Sequence, residues 1–185
     1  RELDNKNFIS NNFLRCYYCK KELFARLNNL AGKFKINYVL DASNFSDRKD
    51  FRPGSRAKKK LGIRSPLEEA GLNKEEIRKL SKNFKLNTWN KPALACLASR
   101  IPYGKRINSR LLKRIERSEA YLKNLGFKQV RVRDYQDFCR IEVFKKEIPR
   151  LLQKRKLITK YLKKSGYRYI TVDLQGYRSG SLNPV

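Results

Sequence analysis

The pattern that most restricts the fold is a pair of short alternating segments in the last third of the chain. In "KQVRVRD" and "CRIEVF" apolar residues occupy every second position, as expected for strands, whose side chains point alternately to opposite faces. The short connection Tyr135–Asp137 predicts that the two strands form a hairpin. Cys139 shares a face with the apolar residues of the second strand, so we interpret it as a core residue that behaves as a small hydrophobe.

Helical patterns flank this hairpin. Ser109 can cap a helix that runs through Leu125, and a second helix from about Lys146 to Lys164 precedes a last strand, "YRYITVDL". The order helix, strand, strand, helix, strand predicts a small two-layer α+β domain of the ferredoxin-like type over residues 105–185.

Residues 1–104 have a different pattern. A helix is predicted from Tyr18 to Leu30, and "KINYVLDASN" is predicted as a buried strand that runs into a polar loop, as in parallel α/β sheets. "LNKEEIRKLSKNF" is predicted as a helix with a capping pair. Its expected buried stripe is Ile77, Leu80 and Phe84. We place the domain boundary near Gly104, where a proline and a glycine close the preceding segment.

Charge restricts the class of partner. Lysine and arginine total 45 against 17 acidic residues, a formal net charge of +28. Such an excess favours a polyanionic partner, because each neutralised phosphate releases counterions, although the basic residues are dispersed. No histidine is present, so the most common general base is missing. The sequence has no apolar run long enough for a membrane helix, and its first residues lack the apolar core of a signal peptide. We therefore expect a cytoplasmic protein with reduced thiols and no membrane partner.

The remaining cysteines suggest a metal centre. Cys16 and Cys19 form a C-x-x-C pair, a spacing that lets two thiolates reach one metal from a single turn. A disulfide is disfavoured in a reducing compartment, and structural zinc normally requires a second pair or histidines. Cys96 is by itself more often packed than reactive. Together the three thiols match the number that binds a cubane iron–sulfur cluster with one iron open, while zinc, a disulfide and simple packing remain alternatives.

Several segments together resemble one family, the LarE-type sulfur transferases of the PP-loop ATP pyrophosphatase superfamily. They follow the family's order through nearly the whole chain, and they are specific jointly although each alone is weak. The segments are "RCYYCK", "DASNFSD", "FRPGSRA", "IRSPLEEAG", "KPALACLASRIPYG", "VRVR", "RIEV" and "DLQGYRSGSLN".

The resemblance implies both a fold and an activity. Residues 1–104 would be the C-terminal part of a Rossmann-like PP-loop α/β/α domain, and residues 105–185 an α+β domain for substrate binding and sulfur transfer. Family members use ATP to activate the carboxylates of pyridinium-3,5-biscarboxylic acid mononucleotide. They then deliver sulfur during biosynthesis of the nickel-pincer nucleotide.

The resemblance also implies two sources of sulfur. In one variant the catalytic cysteine at the position of Cys96 is sacrificed and becomes dehydroalanine. In the other, three cysteines at the positions of Cys16, Cys19 and Cys96 hold a [4Fe-4S] cluster whose fourth iron carries the sulfide. Because this sequence has all three cysteines, we favour the cluster variant.

Polar residues at the end of the predicted strand are candidates for cofactor binding. Asp41, Asn44 and Asp47 occupy the loop that lies beside ATP in PP-loop proteins, so the resemblance implies that they bind ATP with Mg²⁺. Aspartate can hold Mg²⁺ or a ribose hydroxyl, and an Asx turn explains Asn44 equally well.

Arginines supply the candidates for substrate binding. Arg131 and Arg133 lie two apart on one strand and share a face, which suits a phosphate or carboxylate; the alternative is a solvated strand face. We interpret Glu119 as an exposed helix carboxylate rather than a metal ligand. The substrate-binding residues implied by the resemblance are Ser99, Arg100, Arg131, Arg133 and Arg178.

One hallmark of the superfamily is missing from the sequence. The phosphate-cradling "SGGxDS" loop does not occur, and the chain begins with Arg1 and contains no methionine. We therefore expect the loop to lie before Arg1 and expect this chain alone not to adenylylate its substrate.

Two other functions compete at this stage. A tRNA thiolation enzyme shares the PP-loop fold, and the net charge suits RNA better than a small nucleotide. A non-catalytic, basic nucleic-acid-binding fragment with structural Cys16 and Cys19 is the second alternative. The tail "DLQGYRSGSLN" favours the first assignment, so we expect a nucleotide substrate and regard nucleic acid as a less favoured partner. The sulfur donor and homo-oligomerisation stay open.

Overall fold

The computed structural model describes residues 2–49, 52–91 and 94–178. The chain divides into two compact units, one of residues 1–8 with 12–93 and the other of residues 9–11 with 94–185. The main boundary between the units lies before Gly104, at residue 94. The segment that follows it belongs to the second unit and includes the buried side chains of Ala98 and Ile101. No helix in the described ranges is long and apolar enough to cross a lipid bilayer.

The part of the chain before residue 94 is mainly helical. Its α-helices are α1 (Lys6–Ile9), α2 (Arg15–Lys33), α3 (Gly54–Lys60), α4 (Pro66–Glu69) and α5 (Lys74–Asn83). The helix predicted from Tyr18 begins earlier, so that α2 includes both cysteines of the C-x-x-C pair. A Cβ atom on Gly54 would lie 3.0 Å from the Lys20 Cγ and 3.4 Å from the Cys16 carbonyl oxygen. The missing side chain of Gly54 therefore lets α3 pack closely on the first turn of α2.

The strand predicted in "KINYVLDASN" does not form as expected. Leu40 makes one parallel β-bridge to Arg64, and the preceding Ile36 and Tyr38 are exposed. A strand is stabilised only where a neighbouring strand pairs its backbone groups, and the described residues provide one bridging position here. The prediction of a buried strand is therefore wrong for this structure.

Helix α5 confirms its predicted cap but not its predicted stripe. The Asn73 side chain accepts hydrogen bonds from the backbone of Glu75 and Glu76, and the Glu76 carboxylate accepts one from the Asn73 backbone. Leu80 and Phe84, however, are 41% and 74% exposed. The cap forms locally, whereas burial of an apolar stripe requires another element to pack on it.

The second unit contains a three-stranded sheet with strands β1 (Val130–Asp134), β2 (Phe138–Val143) and β3 (Tyr169–Val172), in the order β1-β2-β3. β1 and β2 pair antiparallel, which confirms the predicted hairpin. β3 pairs parallel to β2. Gln136 in the hairpin turn has a φ of 73°, so the turn reverses the chain through the left-handed region.

Among the residues that the structure describes, three α-helices accompany this sheet: α6 (Ser109–Asn124), α7 (Ile148–Gln153) and α8 (Arg155–Lys164). The single helix predicted from Lys146 to Lys164 is interrupted at Lys154. The predicted order of helices and strands is otherwise confirmed, and with it the α/β class, while the ferredoxin-like and PP-loop assignments stay predictions.

The core of the second unit lies between the sheet and its helices. Val132 and Ile141 face each other across β1 and β2, and both are fully buried. Burying such a side chain contributes about 1.5–3 kcal/mol. The other core residues are Leu122, Phe127, Val130, Cys139, Val143, Leu151, Ile158, Leu162 and Tyr167.

Gly176 lets the segment after β3 lie close against the end of β2, and its substitution tests this packing. Its φ is +73°, and a Cβ atom would lie 2.9 Å from both the Val143 carbonyl oxygen and the Lys145 nitrogen. We expect Gly176→Ala to lower the free energy of unfolding by about 1–3 kcal/mol, because both backbone strain and the clash act. Urea denaturation measures this loss.

Gly104→Ala is the matched control for the clash. Gly104 also has a positive φ, +79°, but a Cβ atom there would meet nothing within 4 Å. The control should therefore lose less stability than Gly176→Ala. Equal losses in the two variants would contradict the importance of the close backbone approach at Gly176.

Candidate functional site

Cys96 lies on a segment that a buried arginine holds in place. It is exposed, and it immediately precedes a 3-10 helix, Leu97–Arg100. The Arg100 guanidinium donates hydrogen bonds to the carbonyl oxygens of Ala95, at 3.1 Å, and of Cys96, at 3.3 Å. Its other nitrogens form a two-pronged ion pair with Glu119 of α6, at 2.7 and 3.0 Å. The thiol is thus accessible while its backbone is fixed.

The hairpin face opposite the core is also buried. Arg133 on β1 forms a two-pronged ion pair with Glu142 on β2, at 2.8 and 3.0 Å, and donates to the carbonyl oxygen of Ser99. Arg133 is 1% exposed and Arg131 is 6% exposed. The alternative of a solvated strand face is therefore wrong. Removing one partner of such a pair costs about 3–5 kcal/mol, since the other charge is left buried.

Arg131 differs from its two arginine neighbours in its partners. Its guanidinium donates to the Tyr177 hydroxyl at 2.8 Å and to the Arg178 carbonyl oxygen at 3.4 Å. Within the described residues no carboxylate lies at ion-pair distance from it. The pKa of Arg131 is lowered, mainly by burial; the positive charges of Arg133 and Arg100 also lower it, and Tyr177 and Glu142 oppose the shift without cancelling it. A buried cation among other cations is electrostatically suited to an anionic ligand.

Glu119 corrects a prediction. The sequence predicts an exposed helix carboxylate, but Glu119 is 3% exposed and accepts hydrogen bonds from Arg100 and from the Val132 backbone, the latter at 3.0 Å. Glu119 is buried because Arg100 and β1 pack on that side of α6, and the pattern of the helix alone does not reveal these partners.

Sequence reasoning also missed Glu142. This residue lies directly opposite Arg131 in the hairpin register and diagonally from Arg133. The strand pattern could have identified it. In "RIEV" the glutamate alternates with the core residues, so it lies on the same hairpin face as the two arginines, and opposite charges on one face pair across strands.

Two further residues predicted to bind substrate border this cluster. The Ser99 hydroxyl accepts a hydrogen bond from Arg100 at 3.0 Å. The Arg178 side chain is half exposed and lies 3.8 Å from Asp173, while its backbone contacts Arg131. The structure thus groups the predicted substrate residues of the second unit, and three of the four arginines, Arg100, Arg133 and Arg178, already have carboxylate partners.

The C-x-x-C pair belongs to the first unit. Cys16 and Cys19 are three residues apart on α2, so they lie on the same side of the helix; Cys16 is exposed and Cys19 half-buried. Cys139 is fully buried, and burial raises its thiol pKa to about 12, which confirms the core interpretation. Among the described residues, no three or more His, Cys, Asp or Glu side chains are grouped so that they could hold a metal ion.

A second polar cluster surrounds Asp41 in the first unit. The Asp41 carboxylate accepts hydrogen bonds from the hydroxyls of Ser65, at 2.5 Å, and Ser43, at 2.8 Å. The buried Lys58 ammonium donates to Ser65 at 2.7 Å and to Glu68 at 2.8 Å. The segments "DASN" and "IRSPLEEAG" are therefore joined by one hydrogen-bond network, which sequence spacing did not reveal.

A cavity of about 480 Å³ opens beside this network. Asp47 lines it, accepts a hydrogen bond from the Asn44 backbone at 3.1 Å and forms an ion pair with Arg52 at 2.8 Å. The Asn44 Oδ1 atom is buried and has no hydrogen-bond partner among the described atoms. An unsatisfied buried acceptor is costly. The other lining residues are Ser43, Arg48, Arg52, Ser55, Lys58, Lys59 and Glu68.

Three comparisons place the chain among known proteins. It is 44% identical, over its whole length and 69% of the relative, to an uncharacterized protein of Synechocystis sp.. It is 38% identical, over 90% of this chain and 60% of the relative, to the pyridinium-3,5-bisthiocarboxylic acid mononucleotide synthase of Lactiplantibacillus plantarum. It is 32% identical, over 89% of this chain and 64% of the relative, to an uncharacterized protein of Methanocaldococcus jannaschii. No family model matches the sequence. The chain spans about two thirds of the length of these relatives.

The Asp41 network predicts a specific pH dependence of stability. Burial raises the pKa of Asp41, but hydrogen bonds from Ser65 and Ser43 outweigh it, so the net pKa lies below its ordinary value of 3.8. A lowered folded-state pKa contributes stability above 3.8 that is lost as the pH falls through the folded-state value. We expect the difference in unfolding free energy between wild type and Asp41→Asn to be largest at neutral pH.

Urea titrations between neutral pH and about pH 3 test this expectation. The difference between the two proteins should shrink as the solution becomes acidic. Ser43→Ala is the matched control, because it removes one hydrogen bond to Asp41 and should reproduce the same trend with smaller amplitude. A difference that does not change with pH would contradict the role of the ionised Asp41.

Proposed function

This chain belongs to the LarE family of sulfur transferases, and from that premise we propose that it supplies the thiols and the substrate-binding residues for ATP-dependent sulfur insertion into pyridinium-3,5-biscarboxylic acid mononucleotide. The product would be the bisthiocarboxylic acid mononucleotide that the Lactiplantibacillus relative is named for. The observation that carries the proposal is the exposed Cys96 thiol on a segment that Arg100 holds in place and that Arg133 of the buried arginine cluster contacts at Ser99.

Arg131 is the residue we assign to the phosphate or a carboxylate of the substrate. Arg100 and Arg133 already form ion pairs with Glu119 and Glu142, so their charges are compensated and their roles are to position the Cys96 segment and β1. Arg131 retains an uncompensated charge inside a poorly solvated site, where an ionic hydrogen bond is strong. Ser99 and Arg178 border it and complete the proposed substrate site.

Three thiols are the proposed ligands of the cluster that carries the transferred sulfur. Cys16 and Cys19 offer two thiolates from one helical turn, and the exposed Cys96 offers a third. Thiolates are the ligands of [4Fe-4S] clusters, so the chemistry of this donor set fits such a cluster. When bound, the cluster would present a sulfide for transfer to the activated carboxylate. Cys139 takes no part, because it is buried and protonated.

The loop with Asp41, Asn44 and Asp47 is the proposed contribution of this chain to the ATP–Mg²⁺ site. The orphaned Asn44 oxygen can accept a hydrogen bond from a nucleotide amine or hydroxyl. Asp47 lines the adjacent cavity, and carboxylate oxygen is the preferred ligand of Mg²⁺. Asp41 is engaged by two serine hydroxyls, and its role is to hold the loop in shape.

Iron reconstitution tests the proposed thiol ligands. After anaerobic incubation with ferrous iron and sulfide, we expect the wild-type chain to hold about four irons and to show a broad visible absorbance. Cys16→Ala, Cys19→Ala and Cys96→Ala should each lose most of this iron and absorbance, because a cubane with one open iron needs all three thiolates.

Cys139→Ala is the matched control for the loss of one cysteine, and it should keep the cluster. Failure of the wild type to bind iron would contradict the cluster. Full iron binding by Cys96→Ala would contradict the three-thiol set, and mass spectrometry that finds dehydroalanine at Cys96 after turnover would instead support a sacrificed thiol.

Substitution of Arg131 tests the proposed substrate site. We expect Arg131→Gln to weaken binding of pyridinium-3,5-biscarboxylic acid mononucleotide by about tenfold or more in isothermal titration, since a hydrogen bond to a charged group contributes about 1.5–3 kcal/mol. Arg131→Lys keeps the charge but loses the fork geometry, and its affinity should be intermediate.

Lys128→Gln removes an exposed cation near β1 and controls for general electrostatics. Its affinity for the nucleotide should stay close to that of the wild type. Equal weakening by Lys128→Gln and Arg131→Gln would contradict a specific role of Arg131, and thermal melts of each variant verify that the fold is intact.

A further inference from the structure

A continuous basic groove runs along helix α6 in the second unit, apart from the arginine cluster at Cys96. Two cavities, of about 620 and 630 Å³, share Arg110, Arg114 and Gly166 as lining residues. Arg110, Lys113, Arg114 and Arg117 follow one another at helical spacing on the same side of α6. The opposite side of α6 contributes Ile115 and Leu122 to the interior. We call this feature the α6 groove.

The charges in the α6 groove are not balanced. Seven cations line it against two carboxylates, Asp134 and Asp137. Asp134 is occupied by Arg114, at 2.7 Å, and by the Tyr167 hydroxyl, at 2.9 Å. Within the described ranges, no ion pair joins the other six cations to a carboxylate, and all six are exposed. The seven are Lys105, Arg106, Arg110, Lys113, Arg114, Arg117 and Lys164.

Aromatic rings line both cavities of the groove. Tyr135 and Phe138 stack with centroids 4.6 Å apart in the first cavity. Tyr161 lines the second cavity and stacks on Tyr121 at 3.8 Å. Preformed stacks of this kind present ring faces to which unpaired bases bind, and a basic track between them follows a phosphate backbone.

We propose that the α6 groove binds single-stranded RNA. From Arg110 to Arg117 the helix rises about 10 Å, and a stacked strand carries one phosphate per about 3.4 Å, so the cations match several consecutive phosphates. Hydroxyl and amide side chains of Ser165 and Gln136 also line the groove, and such groups can bind the ribose 2′-hydroxyl. A concave, ring-flanked track fits an unpaired strand better than a duplex or a flat lipid surface.

Fluorescence anisotropy with a labelled RNA of about 16 nucleotides tests this binding on the whole 185-residue chain. We expect the triple variant Arg110→Glu, Lys113→Glu, Arg117→Glu to bind at least about tenfold more weakly than the wild type. Its slope of log affinity against log salt should be less steep by about 2, because each lost phosphate contact removes about 0.7.

The matched control reverses three exposed cations outside both cavities: Lys123→Glu, Lys128→Glu, Lys146→Glu. It makes the same change in net charge. It should bind RNA within about twofold of the wild type when salt screens the weak long-range electrostatic attraction between these positions and the RNA. Equal losses in the two triple variants would overturn the proposal. Circular dichroism and melting curves establish that both variants are folded.

Phe138→Leu separates strand recognition from general polyanion capture. Leucine keeps an apolar side chain at this partly exposed position but removes the ring face. RNA binding should weaken severalfold, because base stacking on an aromatic ring is lost, while heparin binding should not change. Parallel loss for heparin, tighter binding of DNA of the same sequence, or tighter binding of vesicles rich in phosphatidylserine would each overturn the assignment to RNA.

Discussion

The buried ion pair between Arg100 and Glu119 is the contact on which the candidate site depends. Through it the segment that carries Cys96 is tied to α6, and the same carboxylate accepts the Val132 backbone hydrogen of β1. Because either charge left alone in this interior would cost several kcal/mol, both residues are needed at once. The Cys96 thiol is therefore exposed on a backbone that hydrogen bonds from Arg100 hold in place, which favours a defined approach of the proposed substrate.

The balance of charges around this pair determines what the site can bind. Glu119 and Glu142 compensate two of the three neighbouring arginines, and Arg131 keeps hydrogen bonds to neutral oxygens instead. A site with complete compensation would be a structural salt-bridge cluster, whereas one surplus buried cation favours an anion. The α6 groove repeats this logic at the surface, where six exposed cations act on a longer anion and are more strongly screened by salt.

The sequence was most informative where short-range chemistry decides the outcome. The alternation of "VRVRD" and "CRIEVF" predicted the hairpin, its turn and the burial of Cys139, because each depends on side-chain period and turn length. The Asn73 cap needs only atoms within one helical turn. Three wrong predictions, the buried strand at Leu40, the buried stripe of α5 and the exposed Glu119, concern burial that depends on a partner elsewhere in the chain.

Family membership could also be predicted from the sequence alone, because it depends on motifs in a fixed order, and the relatives confirm it. Which charges pair with each other could not be predicted from the sequence. Arg100 and Glu119 are 19 positions apart, and Asp41 and Ser65 are 24 apart, so their contacts exist only after folding brings the segments together. An ionic hydrogen bond requires contact within about 3 Å, and in this protein that condition is met by the packing of helices and strands rather than by spacing along the chain. The sequence therefore determined which residues carry charge and thiol chemistry, and the tertiary structure decided which charges are compensated and which remain for a ligand.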